Sequence, residues 1–215
     1  MRILVINPNS TEAMTAHVAA QLGLQINAGT DILQRTAAQG ASVIATQQAF
    51  DDGAQTSCAV LHQAIDEQLA FDKVLLACFG DPGLEAMRLI TTRPVIGLAQ
   101  VSIQVAERKY KPYAVVTAGA AWEAILVQRL RQWGVSNLFC GVQVMGGTGL
   151  DVFNNPLAAM PAVQRAIAAA RSAGSENIIL GGAVFAGYKA LMQESSIDTQ
   201  GVLDCVACAA DALLC

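Results

Sequence analysis

Charged residues are scarce in this 215-residue sequence, at 14%, and aromatic residues are scarcer still, at 5%. The 13 lysines and arginines are scattered apart from one short basic stretch at Arg108–Lys111, and the net charge is −4, which argues against a nucleic-acid-binding surface. No run of about 18 uncharged apolar residues occurs, so no segment is predicted to span a bilayer. The first residues, MRILVINPNS, reach a polar asparagine too soon for a signal peptide. We therefore expect a cytoplasmic protein that binds neither nucleic acid nor membranes.

Residues that could hold a metal ion or a nucleotide are equally few. His17 and His62 lie far apart in helix-like stretches, and we interpret both as surface or half-buried helical residues. Cys205 and Cys208 form a CxxC motif, but no second pair or nearby histidine completes a zinc site. The glycine-rich segment 146–149 lacks the lysine of a P-loop and the spacing of a dinucleotide fingerprint. The sequence predicts no metal site.

Apolar residues make up 53% of the chain, and short aliphatic runs alternate with longer stretches of helical periodicity. This alternation is typical of βα units around a parallel sheet, and the continuous apolar runs fit strands buried on both faces. Seven strands are predicted: Ile3–Asn7, Val74–Cys78, Val95–Leu98, Ala114–Thr117, Gly141–Met145, Ile178–Gly181 and Val202–Asp204.

The predicted helices begin and end at recognisable signals. An apolar stripe from Trp122 to Trp133 predicts one helix that stops at Gly134. Ser10 or Thr11 can cap the first helix, and Pro161 stands at a plausible first helical position of an alanine-rich one. Two acidic residues are predicted to cap the helices that follow their strands: Asp81 and Asp204.

The two halves of the sequence echo each other. RILVINPNSTEA near the N-terminus resembles YAVVTAGAAWEA from Tyr113, and KVLLACFGDPG from Lys73 resembles NIILGGAVFAG from Asn177. We therefore predict an α/β fold of two similar lobes, each a mostly parallel sheet flanked by helices, related by a pseudo-two-fold with a cleft between them. The lobes would span residues 1–108 and 109–215, and the C-terminal helix could cross back onto the first. The carboxyl ends of the strands would line the cleft, where open α/β sheets bind ligands.

Cys78 is the residue best placed for chemistry. It ends a buried strand and is followed by Phe79-Gly80-Asp81-Pro82-Gly83 and a helix-like stretch. The N–H groups of such a turn and helix N-terminus favour a thiolate, which is the nucleophilic and basic form of cysteine. A small buried cysteine that packs like alanine is the alternative reading of the same position.

These segments resemble a known family. ILVINPNST, ACFGDPGLEA, PVIGLAQ at Pro94–Gln100, AVVTAGAAW, IILGGAVFAG and VLDCVACAADAL are similar to the aspartate/glutamate/hydantoin racemase superfamily, and most similar to its hydantoin and allantoin racemase branch. The resemblance implies two α/β lobes, no cofactor, a homo-oligomer, and two cysteines that face opposite sides of one substrate carbon. Cys78 matches the first of these cysteines.

The second cysteine is missing. Members of the branch read close to LGCAGM where this chain has Leu180-Gly181-Gly182-Ala183-Val184, so Gly182 stands in the cysteine's place. Inversion of a stereocentre by proton transfer needs a base on one face and an acid on the other, and a glycine offers neither. Cys205, near the end of the last predicted strand, could approach the cleft or could pack as a helix residue. Gln100 and Ala118 also depart from the branch and would change the polarity of the cleft.

The residues of the predicted pocket follow from the sequence pattern together with this resemblance. Cys78 acts as base or nucleophile, and the N–H groups of Phe79 and Gly80 stabilise a developing oxyanion. The polar cluster after the first strand binds a carbonyl or carboxylate of the substrate, while a hydroxyl and backbone of the second lobe contact its other face. The members of these two groups are Asn7, Asn9, Ser10 and Thr11 in the first lobe and Thr117, Gly182 and Ala183 in the second.

Three functions fit these residues. The first is a cofactor-independent racemase that uses Cys78 to abstract the proton alpha to a carbonyl of a small molecule. The second is a single-thiol isomerase or decarboxylase of small mono- or diacids, similar to maleate isomerase or arylmalonate decarboxylase. The third is a paralogue that binds a small molecule without chemistry.

Overall fold

The computed structural model describes residues 1–215 and contains two separate four-stranded sheets, both entirely parallel. The first sheet has the strand order β2-β1-β3-β4 and the second the order β6-β5-β7-β8. The strands are β1 (Arg2–Asn7), β2 (Asp31–Thr36), β3 (Lys73–Leu76), β4 (Val95–Gly97), β5 (Tyr113–Ala118), β6 (Phe139–Met145), β7 (Asn177–Leu180) and β8 (Val202–Asp204). The matching orders confirm the prediction of two similar α/β lobes.

Nine α-helices flank these sheets. They are α1 (Glu12–Gly23), α2 (Gln47–Asp66), α3 (Leu84–Ile90), α4 (Leu98–Glu107), α5 (Trp122–Trp133), α6 (Gly149–Asn154), α7 (Pro156–Ser172), α8 (Tyr188–Glu194) and α9 (Cys205–Leu214), with a 3₁₀ turn at Ala183–Phe185. Helix α5 ends as predicted at Gly134, whose φ of +67° places it in the left-handed region that closes a helix. None of the helices combines the length and the apolar composition that a bilayer span needs.

Some predicted details are wrong. Strand β2 has no counterpart among the predicted strands, because four of the six residues of its sequence DILQRT are polar and it lies at the edge of its sheet, partly exposed. Helix α7 begins at Pro156 and carries Pro161 in its interior. Thr11 stands at the N-cap of α1, but its side chain makes no capping bond and donates instead to the Ser42 carbonyl at 2.7 Å.

A shared apolar core joins the two lobes. Helices α4 and α9 pack on each other and contact strands of both sheets, β4 of the first and β8 of the second. The largest cluster of buried side chains accordingly includes residues from both sheets, among them Val5 and Val115. Two smaller clusters cover the outer faces of the sheets. The lobes are thus fixed against each other along a broad apolar surface. The division at residue 108 stays a prediction.

Candidate active site

A pocket lies between the lobes where β1, β3, β5 and β7 end. Its empty volume is about 470 Å³. The first lobe contributes Asn9, Met14, Val43, Ile44, Ala77, Cys78 and Phe79, and the second contributes Thr117, Ala118, Trp122, Gly149, Gly181, Gly182, Ala183 and Val184. Cys78 is the only ionisable side chain in this lining.

The Cys78 side chain is buried in a small apolar cluster with Ile44, Phe50 and Ile125. Burial, and then the nearby Asp81 carboxylate, raise the pKa of the Cys78 thiol far above its usual range. The expectation that the local field favours a thiolate is therefore wrong for this state of the pocket. The main reason is burial, which removes the thiol from water, and the Asp81 carboxylate adds to the effect.

The backbone after β3 offers unused hydrogen-bond donors. The N–H groups of Cys78, Phe79 and Gly80 donate to no group of the chain. The loop needs a glycine at position 80, since φ is +99° and a Cβ would come within 2.9 Å of the Trp122 ring and 3.0 Å of the Phe50 ring. An oxyanion hole requires donors of this kind, and their use for substrate stays a prediction.

The loop after β7 repeats this pattern on the other side of the pocket. The N–H groups of Gly182, Ala183 and Val184 likewise have no partner within the chain. Thr117, at the end of β5, also lines the pocket, and its hydroxyl forms no hydrogen bond within the chain. The predicted residues of the second lobe are thus brought together at one wall.

Gly182 leaves that wall without a reactive side chain. Its φ of 164° is extended backbone that any residue adopts. Cys205 does not replace the missing thiol: it is fully buried behind the wall, with its Sγ 3.5 Å from the Gly182 carbonyl oxygen, and it does not line the pocket. Cys140 is exposed on β6. No second thiol therefore reaches the pocket.

The polar cluster after β1 is only partly directed at the pocket. Asn9 lines it, whereas Asn7 turns away, donating to Asn9 Oδ1 at 2.9 Å and to Thr15 Oγ1 at 3.0 Å. The Ser10 N–H donates to the Ala41 carbonyl at 3.1 Å, and the Thr11 hydroxyl donates to the Ser42 carbonyl at 2.7 Å. These bonds hold the loop that carries Val43 and Ile44, two apolar residues of the pocket wall. Of the four predicted contacts of this cluster, the structure places only Asn9 at the pocket.

Two acidic residues cap helices, but not both as predicted. Asp204 caps α9 through bonds from the amides of Val206 and Ala207 at 2.8 and 3.2 Å. Asp81 instead caps α4, accepting from the amides of Ala99 and Gln100 at 2.9 and 2.7 Å. Burial raises the pKa of Asp81 to about 7 against the lowering effect of these bonds.

Several wall residues were not identified from the sequence. Val43 and Ile44 lie in the loop after the unpredicted strand β2, so nothing placed them near Cys78. Trp122 was assigned only to a helix stripe, although its place directly after the second-lobe turn gives the signal that could have found it. The expectation for Gln100 is wrong, because its side chain accepts a bond from Arg88 at 2.8 Å outside the pocket, whereas Ala118 does line it.

Comparisons with known proteins agree with this architecture. The family model for Asp/Glu/hydantoin racemases matches residues 3–213. A hydantoin racemase of Paenarthrobacter aurescens is 30% identical over 190 residues, covering 87% of this chain and 80% of that protein. The allantoin racemase from Klebsiella pneumoniae aligns with a TM-score of 0.87 at 27% identity, covering all of this chain and 86% of the other. The allantoin racemase from Pseudomonas fluorescens gives 0.85 at 26% identity, covering all of this chain and 91% of the other. The chain therefore belongs to the Asp/Glu/hydantoin racemase family, as a member similar to hydantoin and allantoin racemases.

Proposed function

We propose that this protein is a cofactor-independent enzyme that exchanges the proton on the carbon alpha to a carbonyl of 5-substituted hydantoins or allantoin. The observation that carries the proposal is that Cys78 is the one ionisable side chain lining the pocket between the lobes. The similarity to hydantoin and allantoin racemases supports the choice of substrate class.

The lining favours a substrate without net charge. Ten of its 15 residues are hydrophobic, and no cationic or carboxylate side chain is among them. A neutral ring is accommodated there at lower cost than a charged amino acid, because a buried charge needs a partner. The carbonyl oxygens of the ring would accept bonds from the free N–H groups of the two loops.

The chemical step is a proton transfer at sulfur. The Cys78 thiol first releases its proton to solvent; the thiolate Sγ then takes the proton from the substrate carbon, the electron pair moves into an enolate, and the negative oxygen is held by the N–H groups of Phe79 and Gly80. The new S–H exchanges its proton with solvent, and transfer of the solvent-derived proton back to the same face of the carbon completes the exchange. Inversion needs a donor on the opposite face, where Gly182 supplies only backbone.

Deuterium incorporation tests this proposal. The enantiomer of 5-benzylhydantoin whose C5 proton faces Cys78, dissolved in D₂O with the enzyme, should gain deuterium at carbon 5 without inversion, and Cys78→Ala should lower that rate by at least about 100-fold. Cys140→Ala, which removes an exposed thiol on β6, is the matched control and should retain the wild-type rate. Exchange that survives Cys78→Ala contradicts the proposal.

A second function is favoured by the protonation state of the thiol. Burial raises the pKa of the Cys78 thiol, and a thiol of high pKa is suited to give a proton to a carbanion. In a decarboxylase the substrate loses CO₂, the remaining electron pair forms an enediolate, and one proton from Sγ completes the product. Release of CO₂ from a disubstituted malonate, with no deuterium exchange into hydantoins, would support this function over the first. Inertness toward both substrates would favour a binding paralogue.

We also propose that the protein is a cytoplasmic homo-oligomer. Two exposed leucines, Leu24 and Leu89, retain 76% and 90% of their accessible surface, which a subunit contact would cover. Sedimentation equilibrium would measure the molar mass directly, and a monomer at all concentrations would contradict this assignment.

A further inference from the structure

Arg129, on α5 of the second lobe, reaches across to the loop of the first lobe that carries Cys78. Its Nε donates to the Gly80 carbonyl at 3.1 Å, and its Nη2 donates to the Asp81 carbonyl at 3.3 Å. Nη2 also donates to the Glu85 carboxylate at 3.0 Å, and Nη1 donates to Gln132 Oε1 at 2.9 Å. The side chain is only 14% exposed. Two of its bonds thus cross the interface to backbone carbonyls, and neither carbonyl belongs to a helix or strand.

A second set of contacts fixes the orientation of the guanidinium. The ring of Trp133 lies against it, with the Arg129 Cζ 4.7 Å from the ring centroid. The Trp133 indole N–H donates to Glu85 Oε1 at 3.1 Å, so the same carboxylate binds both side chains. A planar group held on its face and at its edges cannot reorient freely, which distinguishes Arg129 from an ordinary surface arginine.

The loop that receives these bonds has an unfavourable backbone. Gly80 and Asp81 both have positive φ, +99° and +56°, and this region disfavours a residue with a side chain such as Asp81. The Asp81 N–H closes the turn by donating to the Cys78 carbonyl at 3.1 Å. The carbonyls of residues 80 and 81 bind Arg129, whereas the N–H groups of residues 78–80 stay unpaired.

One face of α5 covers this loop. Trp122 lines the pocket, Ile125 packs in the same cluster as Cys78, and Arg129 follows one turn later. Spacings of three and four residues place these side chains on the same side of a helix. The second lobe therefore contacts the Cys78 loop through its side chains and fixes its backbone through a single residue.

We propose that Arg129 is a positioning residue, which holds the Cys78 loop from the opposite lobe so that the thiol and the free N–H groups keep their places at the reacting carbon. The expected change in kcat rests on the proposed function. The effect on the loop itself does not, because backbone exchange can be measured without a substrate.

Two variants test the proposal. Arg129→Met keeps the length and the contact with Trp133 but removes every donor. We expect kcat for deuterium exchange into 5-benzylhydantoin to fall about 100-fold while KM changes less than about threefold, because a displaced catalytic group slows chemistry more than binding. Arg129→Lys restores one donor and should recover part of kcat. It also serves as the test variant if Arg129→Met does not fold.

Amide hydrogen exchange of segment 78–84, followed by mass spectrometry, gives the independent measurement. The hydrogen-bonded amides of this segment are those of Asp81 and Leu84, and loss of the carbonyl bonds to Arg129 should speed their exchange at least about tenfold. Arg131→Met is the matched control, since Arg131 lies on the same helix, exposed and without side-chain bonds, and should change neither quantity. Glu85→Gln removes the surface ion pair and should lower kcat less than about threefold.

The outcomes separate the two proposals. If wild-type enzyme exchanges no hydantoin proton, the proposed function fails, and amide exchange alone decides the role of Arg129. Unchanged amide exchange in Arg129→Met overturns the positioning role, as does a lower melting temperature with wild-type kcat. An equal loss of kcat in Glu85→Gln would also overturn it, because the ion pair and not the carbonyl bonds would then carry the effect.

Discussion

The loops after β3 and β7 occupy equivalent places in the two lobes, but only the first carries a thiol. Cys78 and Gly182 are each the second residue after their strands. Five residues further on, Gly83 and Gly187 have φ of 81° and 80° and open helices of seven residues each. Each loop also presents three successive unpaired N–H groups. The backbone of the pocket is thus nearly symmetric, whereas its side-chain chemistry is one-sided.

The supports of the two loops differ in the same way. Arg129 of the second lobe binds two carbonyls of the Cys78 loop, and His17 of the first lobe binds one carbonyl of the other loop, with Nε2 donating to Ala186 at 3.0 Å. From the opposite lobe, a charged fork therefore holds the loop with the thiol and a single bond holds the other loop, which Asp204 of its own lobe also supports by accepting from the Gly187 N–H at 2.9 Å. The comparison indicates that the Cys78 side is built for a more exact position.

Restoring the second thiol should have the largest effect on activity, because it removes the difference in side-chain chemistry between the two loops. Gly182→Cys places a sulfur opposite Cys78, and its backbone is already extended. A Cβ there would approach Phe185 Cδ2 at 3.1 Å, so the ring must shift by a few tenths of an ångström. We expect inversion of 5-benzylhydantoin, followed by loss of optical rotation, to become about 100-fold faster, as a positioned acid usually contributes.

Gly182→Ala is the matched control for this prediction. It adds the same Cβ without a sulfur and should leave the rate of inversion at the wild-type level. A gain in Gly182→Ala equal to that in Gly182→Cys would show that pocket shape, rather than a second acid, limits inversion.

A substitution at the adjacent position, Gly181, should destabilise the fold. Gly181 corresponds to Ala77 in the first lobe, yet a Cβ on Gly181 would lie 2.5 Å from Val115 Cγ1 and 2.7 Å from Phe79 Cε1. Because neither neighbour can retreat within the packed core, Gly181→Ala should lower the free energy of unfolding by about 2 kcal/mol. Urea unfolding measures this, and Gly182→Ala should lose less than about 1 kcal/mol. Equal losses would contradict the packing difference between the two glycines.

The sequence predicted those parts of the molecule that depend on local pattern. Continuous apolar runs identified β1, β3, β5 and β7, the four central strands, because a strand buried on both faces has no polar positions. The edge strand β2 was missed for the converse reason. Cys78 was placed at the pocket because the carboxyl ends of parallel strands meet there.

Properties that depend on distant chain segments could not be predicted in the same way. The cap made by Asp81 on α4 requires β4 to return beside β3, which brings residues 18 and 19 positions apart into contact. The raised pKa of Cys78 depends on side chains from the second lobe, such as Ile125, that exclude water. The sequence predicts the electrostatic field of the nearby turn, but it does not predict the burial, which has the larger effect on the pKa of Cys78.

The smallest expected effect is the contribution of Asp81 to the pH dependence of the free energy of unfolding. Its carboxyl has a pKa of about 7 in the folded chain against an ordinary value of 3.8. As pH rises from about 4 to about 7, the unfolded chain releases this proton while the folded chain keeps it. The unfolded state therefore binds fewer protons in this window, and the contribution of Asp81 to the free energy of unfolding falls as pH rises. Asp81→Asn, which cannot ionise, should show a flatter dependence than wild type in urea unfolding at pH 4.5, 6 and 7.5.

Asp204→Asn separates this effect from the loss of a helix cap. Both variants weaken a cap and should lose about 1 kcal/mol, but Asp204→Asn retains Asp81 and should keep the wild-type slope with pH. If both variants keep that slope, Asp81 is already ionised at pH 4.5, and the two amide bonds from α4 outweigh the cost of its burial. The asymmetry between the two lobes would then be carried by the Cys78 thiol and by Arg129, which supports its loop.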